Sequence, residues 1–132
     1  MTNSGTHTIL VVEDERPLLE AIRIKFEKNN IEVVTARSMK QAMSYVTDGV
    51  KIDAIWLDHY LLGKETGLDF VAQLKDNEKY KNIPIFIVSN SATPDKQQTY
   101  LRLGVKKYYI KAEHRLDGLI EEIKQYLERS ED

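Results

Sequence analysis

Ile9-Leu10-Val11-Val12-Glu13-Asp14 and Ala54-Ile55-Trp56-Leu57-Asp58 share one pattern: an unbroken apolar run that stops on carboxylates. A run without polar alternation is buried on both faces, as strands of a parallel sheet are. Two further runs differ only in their endings. Ile85-Phe86-Ile87-Val88 stops at Ser89, and Tyr108-Tyr109-Ile110 stops at Lys111. In one parallel sheet all four endings collect at the carboxyl edge, where open α/β folds bind ligands. Three carboxylates, a hydroxyl and an ammonium in one crevice make a site for a hard cation and a phosphoryl group.

Between these runs the apolar period changes from strand-like to helical, which predicts repeated βα units. Residues 8–13 read as the first strand. Pro17 suits the first turn of a helix whose buried stripe is Leu18, Ala21, Ile22 and Phe26. The β-branched stretch Ile31 to Thr35 is a second strand. Ser38 and Gln41 have capping-box spacing ahead of a helix carrying Met39, Ala42, Met43 and Val46. Asp53 to Leu57 forms the third strand, and Leu68, Val71 and Leu74 face inward from the helix after it. Pro84 opens the fourth strand, Thr93-Pro94 starts a helix and Gly104 ends it. Lys107 to Ile110 is the fifth strand, and Leu116, Leu119, Ile120, Ile123 and Leu127 stripe the last helix. Five βα units fill residues 8 to 129, so 1–132 is expected to be a single domain.

Composition narrows the function. A 132-residue chain with 42% hydrophobic and 30% charged residues is of ordinary globular type. Its net charge of −2 offers no basic field for direct nucleic-acid binding. With no cysteine, disulfides and thiolate catalysis are excluded, and a reducing cytoplasm is the expected location. No signal-peptide pattern opens the chain, and no apolar run reaches the ~20 residues that span a bilayer.

The site chemistry follows from the residue types. Magnesium takes oxygen ligands and keeps several waters, so Asp14 and Asp58 are the natural direct ligands, with Glu13 binding directly or through water. Crowded carboxylates repel one another and so favour a cation. A carboxylate beside that cation can also attack phosphorus, giving an aspartyl phosphate. Lys111 supplies charge, and Ser89 a hydroxyl, to the phosphoryl oxygens. A lone Asp after a strand is most often a turn residue, and a lone Ser or Lys there is commonly incidental. The joint placement on four strands is what gives the set its meaning.

The ordered set Val12-Glu13-Asp14-Glu15, Trp56-Leu57-Asp58, Ser89, and Gly104 followed by Tyr108 and Lys111 resembles the receiver domains of two-component response regulators, over nearly the whole chain. The resemblance implies a flavodoxin-like (βα)5 three-layer sandwich with a five-stranded parallel sheet of order 2-1-3-4-5. It implies that Asp58 is the phosphoacceptor, and that Glu13, Asp14, Asp58 and the backbone carbonyl of Tyr60 hold Mg2+. Ser89 and Lys111 are then catalytic contacts to the phosphoryl group, and Ser89 with Tyr108 forms the switch. A histidine kinase or phosphotransfer protein is the expected donor for a stand-alone receiver. A downstream protein is the expected target of its fourth-helix, fifth-strand, fifth-helix face. The chain is expected to be a signalling switch rather than a metabolic enzyme, catalysing only its own phosphorylation and dephosphorylation. A monomer or a weak phosphorylation-dependent dimer is expected, since Lys106-Lys107 stands where dimerising relatives often carry acidic residues.

Several positions depart from the family pattern. Leu62 replaces a proline, Asn90 replaces a small residue, and Asp58 to Gly67 is one residue longer than usual. Ala112 follows Lys111 where the family has a cis proline; a cis bond before alanine costs about 2.5–4 kcal/mol, so trans is expected. Tyr60 and Ser91 flank the path of attacking water and bear on phosphoryl lifetime. Leu62, Asn90 and Ala112 favour an alternative, a pseudo-receiver that binds partners without phosphorylation; the intact acidic pair, Asp58, Ser89 and Lys111 oppose it. A flavodoxin-like cofactor binder would need a phosphate-cradling loop after the first strand, but Glu13-Asp14-Glu15-Arg16-Pro17 is acidic and glycine-free. A haloacid-dehalogenase-type phosphatase would need a DxD pattern there, which is missing. His59 reads as a loop packing residue rather than a phosphodonor, and His7, His59 and His114 form no metal triad. Tyr100, Leu101 and Leu103 read as ordinary helix packing, with Tyr100 the only one of them that is a candidate for a partner contact.

Overall fold

The apolar runs form the strands β1 (His7–Val12), β2 (Ile31–Ala36), β3 (Ala54–Leu57), β4 (Ile85–Ser89) and β5 (Lys107–Ile110). The helices α1 (Arg16–Lys28), α2 (Met39–Thr47), α3 (Gly67–Lys75), α4 (Pro94–Leu103) and α5 (Leu116–Arg129) alternate with them. The computed structural model describes residues 6–60, 66–90 and 93–129. The strands pair in parallel in the order β2-β1-β3-β4-β5. This is the flavodoxin-like (βα)5 sandwich that the sequence predicts.

Strand parity divides the core. Ile9, Val11, Trp56, Phe86, Val88 and Tyr109 point to one face, where α1 contributes Ile22 and Phe26 and α5 contributes Ile120 and Ile123. Leu10, Val12, Ile55, Leu57, Ile85 and Ile87 point to the other, under Ala42 and Val46 of α2, Phe70 and Leu74 of α3 and Tyr100 of α4. Each face buries large apolar side chains at roughly 1.5–3 kcal/mol apiece.

Register sets the functional edge. Val12 pairs with Leu57 and Leu57 with Ile87, so Glu13 and Asp58 leave the sheet at one level. Ser89 pairs with Ile110, which puts Lys111 one step beyond it. Gly104 ends α4 with φ 98°, a left-handed conformation that glycine adopts without strain.

Local details correct several expectations. The buried face of α1 is Leu19, Ile22 and Phe26, with Leu18 only half-buried. Strand β3 begins at Ala54 rather than Asp53, whose carboxylate accepts the Thr8 amide at 2.8 Å. Ser38 does accept the Gln41 amide at 3.1 Å, but the Gln41 side chain takes the amide of Arg37 rather than completing a box with Ser38. Among the described residues no peptide bond is cis, so Ala112 follows a trans bond, inside the 3-10 turn Lys111–Glu113. Leu62, Ser91 and part of the loop from Asp58 to Gly67 lie outside the described residues.

Tyr100 is fully buried in the core, which bears out its reading as helix packing and removes it as a candidate partner contact; its neighbour Leu101 is the exposed one.

Candidate functional site

Each site residue is placed by the strand before it. Glu13 continues β1, its amide donating to the Ala36 carbonyl at 3.0 Å. Asp58 continues β3, its amide donating to the Val12 carbonyl at 3.0 Å. Main-chain bonds thus hold the two carboxylates side by side. Glu13 is 1% exposed and Asp58 6%, while Asp14 is half-buried. One oxygen from each of the three lies within 4.8 Å of the others.

Lys111 reaches into this cluster from the end of β5. Its ammonium donates to Glu13 Oε1 at 2.9 Å and to Asp58 Oδ2 at 3.3 Å. The second Glu13 oxygen accepts the Glu15 amide at 3.2 Å. Burial raises the Glu13 carboxyl above its usual range, the Lys111 contact opposes that shift, and the Asp58 charge adds to it. For Lys111 burial acts downward, but the Glu13 hydrogen bond and the Asp58 charge outweigh it and the ammonium is held above its usual value. Two buried carboxylates are therefore compensated by one ammonium, and the pocket keeps an excess of negative charge.

Among the described residues, Asp58 Oδ1 is buried with no hydrogen-bond partner. A buried carboxylate oxygen left unpaired carries a desolvation cost that a cation or a covalent partner would remove. The donor set is entirely carboxylate oxygen, the chemistry magnesium prefers, so the residues present fit that ion.

The remaining predicted residues lie on β4, on β5 and just past β3. Ser89 is fully buried at the end of β4. Tyr108 is half-buried with its ring 5.7 Å from that of Tyr100. Tyr60, two residues past Asp58, is exposed; its hydroxyl accepts from Lys96 at 3.2 Å and its backbone bridges Thr66.

His59 turns to the opposite sheet face from Asp58, as strand alternation requires. It is 5% exposed and its Nδ1 lies 2.6 Å from the Tyr100 hydroxyl, which bears out its reading as a packing residue. Burial, then the Lys96 charge, hold its imidazole below the ordinary range, so the neutral ring is favoured. Sequence reading missed the Tyr100 hydroxyl as its partner and missed Arg37 altogether. Arg37 donates from Nε and Nη2 to the Asp14 carbonyl at 3.2 and 3.0 Å. No spacing rule links either pair, because each joins distant elements of the chain.

Comparison with known proteins gives the same picture. The family model of the response regulator receiver domain matches residues 9–124. The phosphate regulon transcriptional regulatory protein PhoB of Pseudomonas aeruginosa is 33% identical over 104 residues, covering 79% of this chain and 44% of that protein. The chain thus spans less than half the length of that relative. The two-component response regulator ORR8 of Oryza sativa subsp. indica is 25% identical over 103 residues, covering 78% of this chain and 84% of the relative. The crystal structure of the phosphorylated cyanobacterial phytochrome response regulator RcpA superposes with a TM-score of 0.78 at 27% identity, covering 92% of this chain and 91% of that one. Among the described residues no helix is long and apolar enough to cross a membrane. The sheet order, the acidic cluster at its carboxyl edge and the family match agree: this chain belongs to the response regulator receiver domain family.

Proposed function

We propose that the chain works in the cytoplasm as a phosphoryl-accepting switch. Asp58 takes the group from the phosphohistidine of a histidine kinase or phosphotransfer protein. The observation that carries this reading is the asymmetry of the Asp58 carboxylate: Oδ2 is held by Lys111 at 3.3 Å while Oδ1 is buried and, among the described residues, unpaired. One oxygen is anchored and the other is left to attack. In the transfer Asp58 forms an oxygen–phosphorus bond as the donor's nitrogen–phosphorus bond breaks, and the departing imidazole nitrogen takes up a proton. Lys111 neutralises charge on the phosphoryl oxygens and Ser89 offers its hydroxyl to them.

Glu13, Asp14, Asp58 and the Tyr60 carbonyl would hold the magnesium ion. When bound, it offsets the repulsion between carboxylate and phosphoryl oxygens. The receiver is not a turnover enzyme; it catalyses only its own phosphorylation and hydrolysis. The phosphorylated state named for the cyanobacterial relative supports this reading. The output is a shift in the packing of α4, β5 and α5, where Tyr108 contacts Tyr100, and a downstream protein reads it.

Acetyl phosphate labelling with mass detection tests the assignment. The parent is expected to gain one acid-labile phosphate, and Asp58→Asn none while keeping its circular dichroism. Phosphate persisting on that variant, or a parent that never labels in magnesium, overturns the reading.

A further inference from the structure

Arg37 stands one residue past the end of β2, with its side chain crossing to the opening of the acidic cluster. Both its Nε and its Nη2 donate to a single acceptor, the backbone carbonyl of Asp14, at 3.2 and 3.0 Å. Its own amide is tied to the Gln41 side chain at 2.9 Å, so the arginine is anchored on α2 as well as on β2. The preceding residue, Ala36, accepts the Glu13 amide at 3.0 Å. The end of β2 therefore holds the backbone of two consecutive acidic residues.

The three carboxylates are not equally restrained. Glu13 is fixed by Lys111 and the Glu15 amide, and Asp58 by Lys111. Among the described residues no hydrogen bond fixes the Asp14 carboxylate, which sits half-exposed between β1 and α1. Its aim is set by its backbone, and the fork of Arg37 fixes the peptide plane that follows it. We propose that Arg37 is the positioning residue for Asp14, aiming that carboxylate for a divalent cation. This rests on the reading of the acidic cluster as a magnesium site.

A guanidinium near the pocket also repels a cation, so two effects compete. The repulsion acts at a half-exposed position, where salt screens charges over about 8 Å. Misaiming a ligand by removing the group that orients it commonly costs 10–100-fold in metal affinity. Positioning therefore wins, and loss of Arg37 weakens binding although a positive charge departs. Lysine does not substitute, because an ammonium cannot present the planar fork.

Calorimetric titration with Mg2+ alone, on the parent, Arg37→Gln and Arg37→Lys, tests this, with urea unfolding of each in chelator as the control on folding. The expected result is a dissociation constant raised about tenfold in both variants. Unchanged affinity in both variants overturns the proposal and leaves Arg37 a structural residue. Tighter binding in the glutamine variant with no change in the lysine variant also overturns it, because charge alone is then at work. A parent that binds no magnesium overturns the reading of the acidic cluster itself, a result distinct from either of these. Should the glutamine variant fail to fold, the lysine variant, which keeps the charge and the aliphatic stem, decides the question.

Discussion

The Nδ1 of His59 and the hydroxyl of Tyr100 lie 2.6 Å apart, joining the residue after Asp58 to the middle of α4. Tyr100 in turn packs its ring 5.7 Å from Tyr108 on β5. Lys96, one helical turn earlier on α4, lies 5.1 Å above the Tyr60 ring. The end of β3 and the helix expected to move are thus tied by direct side-chain contact, beside the expected Ser89–Tyr108 route. Tyr100→Phe keeps the ring and deletes the bond, leaving a buried imidazole nitrogen without its partner. A loss of about 1–3 kcal/mol in urea unfolding is expected. Parent-like stability for this variant would show the bond to be energetically idle.

The same hydroxyl explains Gly67. A Cβ built there meets the Tyr100 hydroxyl at 2.5 Å, the Asp58 carbonyl oxygen at 3.0 Å and the His59 Cα at 3.3 Å. Two of these obstacles are backbone and cannot swing away. Gly67→Ala is expected to cost about 1–3 kcal/mol through overpacking. In the Tyr100→Phe background the cost is expected to shrink, because the nearest obstacle has gone. A double-mutant cycle reads the difference, with coupling on the order of 0.5–3 kcal/mol expected. Strict additivity would mean that the main-chain contacts alone exclude the methyl group.

Lys111→Ala separates the structural from the chemical role of the ammonium. Removing it leaves Glu13 and Asp58 as uncompensated, nearly buried carboxylates, a change that typically costs about 3–5 kcal/mol. Magnesium is expected to raise the melting temperature of this variant more than that of the parent, because the cation replaces the missing charge. The pH response in metal-free buffer has a definite sign. A Glu13 raised above 4.5 in the folded state holds a proton that the unfolded chain has released. Stability therefore falls as pH rises from 4.5 through the folded value. Without Lys111 the opposing influence is lost, so the fall is expected to be larger in total and to extend to higher pH. A variant whose stability is flat from pH 4.5 to 8 would contradict the pairing.

Strands β1, β3 and β4 were legible because each is an apolar run buried on both faces, whereas β2 and β5 are edge strands with exposed Glu32 and Lys107; the acidic edge followed from where the buried runs stop. Glu13, Asp58 and Lys111 could be grouped from sequence since parallel pairing brings strand ends together whatever their separation in the chain. The face of α4 was not legible. Tyr100, Leu101 and Leu103 are close neighbours in a helix of otherwise polar character, and its period does not say which one turns inward. What decides is His59, 41 residues away, whose ring gives the tyrosine hydroxyl a buried partner. Arg37 was invisible for a similar reason: its acceptor is a backbone carbonyl, which leaves no trace in residue identity.

Trp56, the only tryptophan, gives a spectroscopic view of the site. It precedes Asp58 by two residues on the same strand, so both side chains leave the same side of the sheet. The indole is 1% exposed and meets Phe26 edge to face, with ring centroids 5.9 Å apart. Among the described residues its Nε1 is buried without a partner, so no competing hydrogen bond dominates its emission. A change of charge at the acidic cluster should therefore register through the local field. Magnesium, and then beryllofluoride as a phosphoryl mimic, are each expected to change the fluorescence saturably. In Asp14→Ala the magnesium response should weaken sharply, because a carboxylate ligand is gone. That variant's metal-free fold should be at least as stable as the parent's, since one source of carboxylate repulsion is removed. A titration flat for both additions in the folded parent would argue against a metal site and favour a receiver that works by partner binding alone.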